Sequence, residues 1–146
     1  MDRIRILVVD DHPLFRQGLR DVLQSEDDIE VVGEASNGQE AIELTHALKP
    51  DALILDINLP GTNGLQVTRQ LRAEHCTAAV VMLTAYDDAE QVLHAFRAGG
   101  SAYCPKDITP HKLVLILRQV VQGHYVVGDQ VFDKVKLILR DSLFSD

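Results

Sequence analysis

Three uninterrupted apolar runs, ILVV at residues 6–9, ALIL at 52–55 and AVVML at 79–83, constrain this chain more than any other feature. A strand that is apolar at every position has both faces covered, as in a parallel sheet with helices packed on either side. Strand-like runs recur five times, at 4–9, 29–35, 52–55, 79–83 and 101–104, and helical patterns fill the intervals.

The helices carry their own start and stop signals. Pro13 suits a first helical position, and Leu14, Phe15, Leu19, Val22 and Leu23 form an apolar stripe behind it. A second helix begins near Asn37 and is ended by Lys49-Pro50. A third starts about Gly64 with Leu65, Val67 and Leu71 inward, and a fourth runs from Asp87-Asp88, with Val92, Leu93 and Phe96 inward, to Gly99-Gly100. The fifth spans Pro110 to Gln122 and stops at Gly123. Such alternation predicts an α/β fold with right-handed crossovers: a flavodoxin-like, doubly wound (βα)5 sandwich whose five-stranded parallel sheet has the order 2-1-3-4-5. Ligands in such sheets bind outside the carboxyl ends of the strands, at the switch point between the first and third.

The residues expected at that edge are Asp10-Asp11 after the first strand, Asp56 after the third, Thr84 after the fourth and Lys106 near the end of the fifth. Three carboxylates, a hydroxyl and an ammonium therefore converge on one crevice. Two like charges ~4 Å apart repel by about 4 kcal/mol at an effective dielectric of 20, so the cluster calls for a cation. Lys106 supplies one charge. A small hard divalent ion, Mg²⁺ rather than zinc, suits the oxygen donors of Asp10 and Asp11. Asp56, facing that pair, is then a competent nucleophile toward phosphorus, with Thr84 and Lys106 placed to bind the phosphoryl oxygens.

The stretches VVDDHPLFRQGL, LILDINLPGTNGL, VMLTAYDD and AGGSAYCPKD resemble the receiver domain of bacterial two-component response regulators over residues 1–123. DDHPLFRQGL in particular is similar to the NarL/FixJ-type (LuxR-like) branch, whose members carry a helix-turn-helix output domain. The resemblance implies that Asp10, Asp11, Asp56 and the backbone carbonyl of Asn58 bind Mg²⁺, that Asp56 is the phosphoacceptor, and that Thr84 and Tyr103 form the switch pair. It implies a sensor histidine kinase as partner and a signalling role rather than enzymatic turnover. His12 reads as part of the loop. Pro105 stands before Lys106, where many receivers have proline directly after this lysine; that makes Cys104-Pro105 the isomer-prone bond and suggests that the fifth strand is a sheet edge.

Other classes fit less well. A haloacid-dehalogenase-like phosphohydrolase, which shares the aspartyl-phosphate chemistry, would end its first strand in DxD, and here that strand ends in DDH. A flavodoxin-like cofactor binder needs a Ser/Thr/Gly-rich phosphate loop, which Asp10-Asp11 would repel. The net charge of −8 argues against nucleic-acid binding by this chain itself, so DNA would be reached only through an output domain outside it. No apolar run spans a bilayer and no signal-peptide pattern opens the sequence, which predicts a cytoplasmic protein without membrane contact. Cys76 and Cys104 have no metal-ligand spacing and read as reduced thiols.

Residues 124–146 read as a linker. Within it Val131, Val135, Ile138 and Leu139 suggest an amphipathic helix capped by Asp129, too short and insufficiently basic for a helix-turn-helix. The expectations are a transcriptional regulator whose output domain is missing or, alternatively, a stand-alone receiver. A homodimer through the fifth helix and this tail is expected, with Leu115 alone on the outer side of that helix.

Overall fold

The computed structural model describes residues 2–85, 89–127 and 130–132. The chain order is β1 (Ile4–Val9), α1 (Pro13–Gln24), β2 (Ile29–Ala35), α2 (Gly38–Leu48), β3 (Ala52–Asp56), α3 (Gly64–Ala73), β4 (Ala79–Thr84), α4 (Ala89–Arg97), β5 (Ala102–Pro105), α5 (Pro110–Val120), β6 (Tyr125–Val127) and β7 (Gln130–Phe132). The sheet order is β2-β1-β3-β4-β5-β6-β7, parallel throughout except for the β6–β7 pair. The expected α/β sandwich and its central strand order are present.

Alternation along each strand sorts the core into two layers. Ile6, Val8, Ile54, Val81 and Leu83 pack with Leu23 of α1 and with Leu113, Leu117 and Val120 of α5. Leu7, Val9, Leu53, Leu55, Val80 and Met82 face the other way, onto Ala41 and Ile42 of α2, Val67 and Leu71 of α3 and Ala95 of α4. Every residue of β3 and β4 is buried, which is why their sequences lack polar alternation.

The helix signals hold where the structure describes them. Pro13 and Pro110 open α1 and α5. Asn37 caps α2 by accepting from the Glu40 amide, and Lys49 closes it in the left-handed region at φ 49°. Asn63 and Gln66 form a reciprocal capping box at the start of α3. The expected start of α4 at Asp87-Asp88 lies outside the described residues.

The sheet differs from expectation at one side. The fifth strand is not an edge: β5 pairs with β6 through Ala102↔Val126 and Tyr103↔Val127. Pro105 lies beyond those two pairs, so its missing N–H interrupts nothing on that side. No cis peptide occurs among the described residues. Val131, assigned to a tail helix, instead pairs with Val126 in the β6–β7 hairpin; Asp129, Val135, Ile138 and Leu139 lie outside the described residues. The sheet thus continues past residue 123.

Leu14 also departs from its expected place, being 85% exposed. At 100° per residue it falls about 125° from the centre of the arc made by Phe15, Leu19, Val22 and Leu23, so the core cannot use it. Leu115, expected on the outer side of α5, is exposed there.

Candidate functional site

The carboxyl edge gathers its polar groups from four strand ends. Asp10 follows β1, Asp56 ends β3, Thr84 ends β4 and Lys106 follows β5; Asp10, Asp56 and Thr84 are buried. Lys106 reaches across the edge because its own amide donates to the Thr84 carbonyl at 2.8 Å, continuing the β4–β5 ladder one residue past Pro105. Its Nζ stands 2.9 Å from Asp10 Oδ2 and 3.0 Å from Asp56 Oδ2. The same ammonium lies 4.7 Å from the centroid of the Phe15 ring, a cation–π contact that fixes its approach.

Asp56 is held at its other oxygen, where Oδ1 accepts the Asn58 amide at 3.0 Å. The turn after β3 is tight because α3 begins against it. A Cβ on Gly64 would sit 2.8 Å from both the Asp56 carbonyl oxygen and the Ile57 Cα, so only glycine fits.

The β1–α1 turn carries the second and third carboxylates. Asp10 Oδ1 accepts the His12 amide at 2.8 Å and lies 2.9 Å from His12 Nδ1, which is also 3.0 Å from Asp11 Oδ1. Asp10 Oδ2 and Asp11 Oδ1 are buried, with the Lys106 ammonium 2.9 Å from the first and the His12 ring 3.0 Å from the second. Ligand atoms of Asp10, Asp11, His12 and Asp56 all lie within 4.8 Å of one another.

Three carboxylates against one ammonium leave two negative charges in this pocket. The close grouping of carboxylate oxygens and that residual charge fit a divalent cation with oxygen preference. Burial alone would lower the affinity of Lys106 for its proton; the hydrogen bonds and charges of Asp10 and Asp56 together outweigh that and raise its pKa above the ordinary lysine value.

Asp10, Asp11, Asp56 and Lys106 thus meet as the sequence implied. Thr84 stands at the same edge, and its neighbour Leu83 pairs with Asp56 across β3 and β4. Tyr103 is buried, opposite Met82 of β4 and Val127 of β6. The ring of this expected switch residue thus already lies inward. Sequence reasoning passed over the contacts of His12, Phe15 and Arg16; adjacency to Asp10-Asp11 was the one available signal, and it applied to His12 alone.

Residues 6–118 match the family described as the response regulator receiver domain. The chain is 37% identical over 135 residues to the nitrate/nitrite response regulator protein NarL of Escherichia coli (strain K12), covering 92% of this chain and 62% of that protein. It is 35% identical over 130 residues to the transcriptional regulatory protein DegU of Brevibacillus brevis, covering 89% and 55%. The chain therefore spans little more than half the length of these curated relatives. Among solved structures, the signal receiver domain of NarL from Mycobacterium tuberculosis superposes with a TM-score of 0.82 at 34% identity, covering 84% of this chain and 99% of that one. A two-component response regulator of the LuxR family from Aurantimonas sp. SI85-9A1 gives 0.82 at 30% identity, covering 97% and 99%. Family match, relatives and fold agree: the chain belongs to the response regulator receiver domains, on the NarL-type branch.

Proposed function

We propose that this receiver accepts a phosphoryl group on Asp56 from a phosphohistidine of a sensor kinase and thereby switches its association with other molecules. The observation that carries the reading is the bridge of Lys106 Nζ between Asp10 and Asp56 inside a pocket of excess negative charge. Mg²⁺ is the proposed ion, held by Asp10, Asp11, Asp56 and the Asn58 carbonyl; when bound it neutralises charge on the phosphoryl oxygens and the carboxylates.

In the transfer, Asp56 Oδ forms a bond to phosphorus as the phosphorus–nitrogen bond of the donor breaks, and the imidazole leaves with the electron pair and takes up a proton. Asn58 N–H holds Asp56 Oδ1, which leaves Oδ2, beside Lys106, as the oxygen that bonds phosphorus. Lys106 then exchanges Asp56 for the new phosphoryl oxygens, and the Thr84 hydroxyl donates to another of them. Burial of Thr84 and Tyr103 along neighbouring strands supports the coupling of that hydrogen bond to the packing around Tyr103.

Leu115, Thr84 and Tyr103 line one cleft of about 820 Å³, which links the site to the exposed side of α5. Self-association through α5 and the tail is the proposed readout. Transcriptional control is proposed through a DNA-binding output domain not included in these residues, because the curated relatives are longer and include regulators of transcription. A cytoplasmic setting goes with a kinase partner; among the described residues no helix is long and apolar enough to cross a membrane.

The test is incubation with acetyl phosphate and Mg²⁺ followed by intact mass. One phosphoryl group is expected on the wild type and none on Asp56→Asn or in excess chelator. Labelling that persists in Asp56→Asn contradicts the reading.

A further inference from the structure

Asp10 is held through its main chain as well as its carboxylate. Its amide donates to the Ala35 carbonyl of β2 at 3.0 Å, and its carbonyl oxygen accepts Nη1 of Arg16 at 2.5 Å. Arg16 is the fourth residue of α1, and its own amide closes on the His12 carbonyl at 3.0 Å. Its guanidinium is largely buried, with Nε 3.4 Å from Glu34 Oε1 on β2. Glu34 Oε2 in turn accepts Arg20 Nη1 at 2.8 Å. The turn that carries Asp10 and Asp11 is therefore clamped between β2 and α1, with the Arg16 side chain bonding its backbone from the helix side.

We propose that Arg16 is a positioning residue for the divalent cation: by holding the Asp10 carbonyl it keeps the two adjacent carboxylates facing the pocket despite their mutual repulsion. The inference rests on the metal reading given above. Without Arg16 the turn keeps its hydrogen bond to β2 but loses its hold on the helix side, so the carboxylates can part and the ion must reassemble them on binding. Groups that orient metal ligands from behind commonly change affinity by about 10- to 100-fold when removed.

Charge alone predicts the opposite sign. Arg16 is a cation near a cation site, so electrostatics without positioning would have its removal tighten binding. Arg20 shares Glu34 with Arg16, and its hydrogen bond and ion pair among the described residues go to Glu34 rather than Asp10, which makes it the internal control.

The experiment is calorimetric titration of the full chain with Mg²⁺ alone, beside a thermal melt of each variant. Arg16→Ala should bind Mg²⁺ about tenfold more weakly, Glu34→Gln should lose less in the same direction, and Arg20→Ala should stay within about twofold of the wild type. Amide resonances of Asp10 to His12 should shift in metal-free Arg16→Ala while that of Asp56 does not. If Arg16→Ala fails to fold, Arg16→Lys carries the test: it keeps the charge but loses the planar reach, so weaker binding still supports positioning. A wild type that binds Mg²⁺ and an Arg16 variant that binds as tightly or more tightly overturns this inference alone. Loss of the same size in Arg20→Ala also overturns it, because the effect is then general to α1. A wild type that binds no Mg²⁺ overturns the metal reading, and this inference with it.

Discussion

Lys106 Nζ lies 3.0 Å from Asp56 Oδ2, an ion pair joining the end of β3 to the residue after β5. The same ammonium reaches Asp10, so one side chain ties three strand ends together. Lys106→Met would leave Asp10 and Asp56 facing each other with no protein cation between them. A loss of about 2 kcal/mol is expected in chelator, largely restored by Mg²⁺. Thermal melts with and without Mg²⁺ check this, and equal melting temperatures for wild type and variant in chelator would count against it. Because the folded-state pKa of Lys106 is raised, its contribution is complete below the ordinary lysine value of 10.5 and is lost only as pH climbs through the higher folded value.

Acid sensitivity is expected from a different pair. The guanidinium of Arg118 on α5 donates to both carboxylate oxygens of Asp28, at 2.9 and 3.0 Å, and that hydrogen bonding holds the Asp28 carboxyl below its usual 3.8. A depressed carboxylate stabilises the fold above its unfolded-state pKa and loses that contribution as pH falls through the lower folded value. Arg118→Met should therefore melt lower than wild type at pH 6, and the gap should close as pH falls through the lowered Asp28 value. The gap should shrink in high salt, since both groups are partly exposed. A gap independent of pH would contradict the assignment.

Gly64 sets how closely α3 can approach the end of β3. Gly64→Ala should destabilise by about 1–3 kcal/mol, because the contacts at 2.8 Å are with backbone that cannot swing away. Amide resonances of Asp56 to Asn58 should move with it. Unchanged resonances there would show that the turn has room the geometry denies.

The two thiols should differ in reactivity. Burial pushes the Cys104 thiol up to about 12, whereas Cys76 is only half-buried. At pH 8 in native buffer an alkylating reagent should mark Cys76 first and leave Cys104 until the protein unfolds. Peptide mapping over time distinguishes the two.

The central strands were legible because burial on both faces removes polar alternation, and runs such as 52–55 admit few other readings. The acidic edge was legible because strict alternation places every strand's carboxyl end on one side. β6 and β7 were not, since three residues each carry no period and form only because the β5 edge is there to pair with. Leu14 misled because an apolar residue in a first turn was assigned to a face that its angle does not reach. Phe15 contributes through tertiary placement over Lys106, a relation with no fixed spacing in the chain. Arg16, though only six residues from Asp10, bonds a backbone carbonyl, which leaves no mark in the side-chain pattern.

The central claim is that Asp56 alone forms the acyl phosphate. Borohydride reduction after treatment with acetyl phosphate and Mg²⁺ converts a phosphoaspartyl residue to homoserine, and peptide sequencing then locates it. Homoserine at position 56 and at no other aspartate is the expected result. Homoserine at position 10 or 11, or a phosphoryl group that survives reduction on another side chain, would contradict the account.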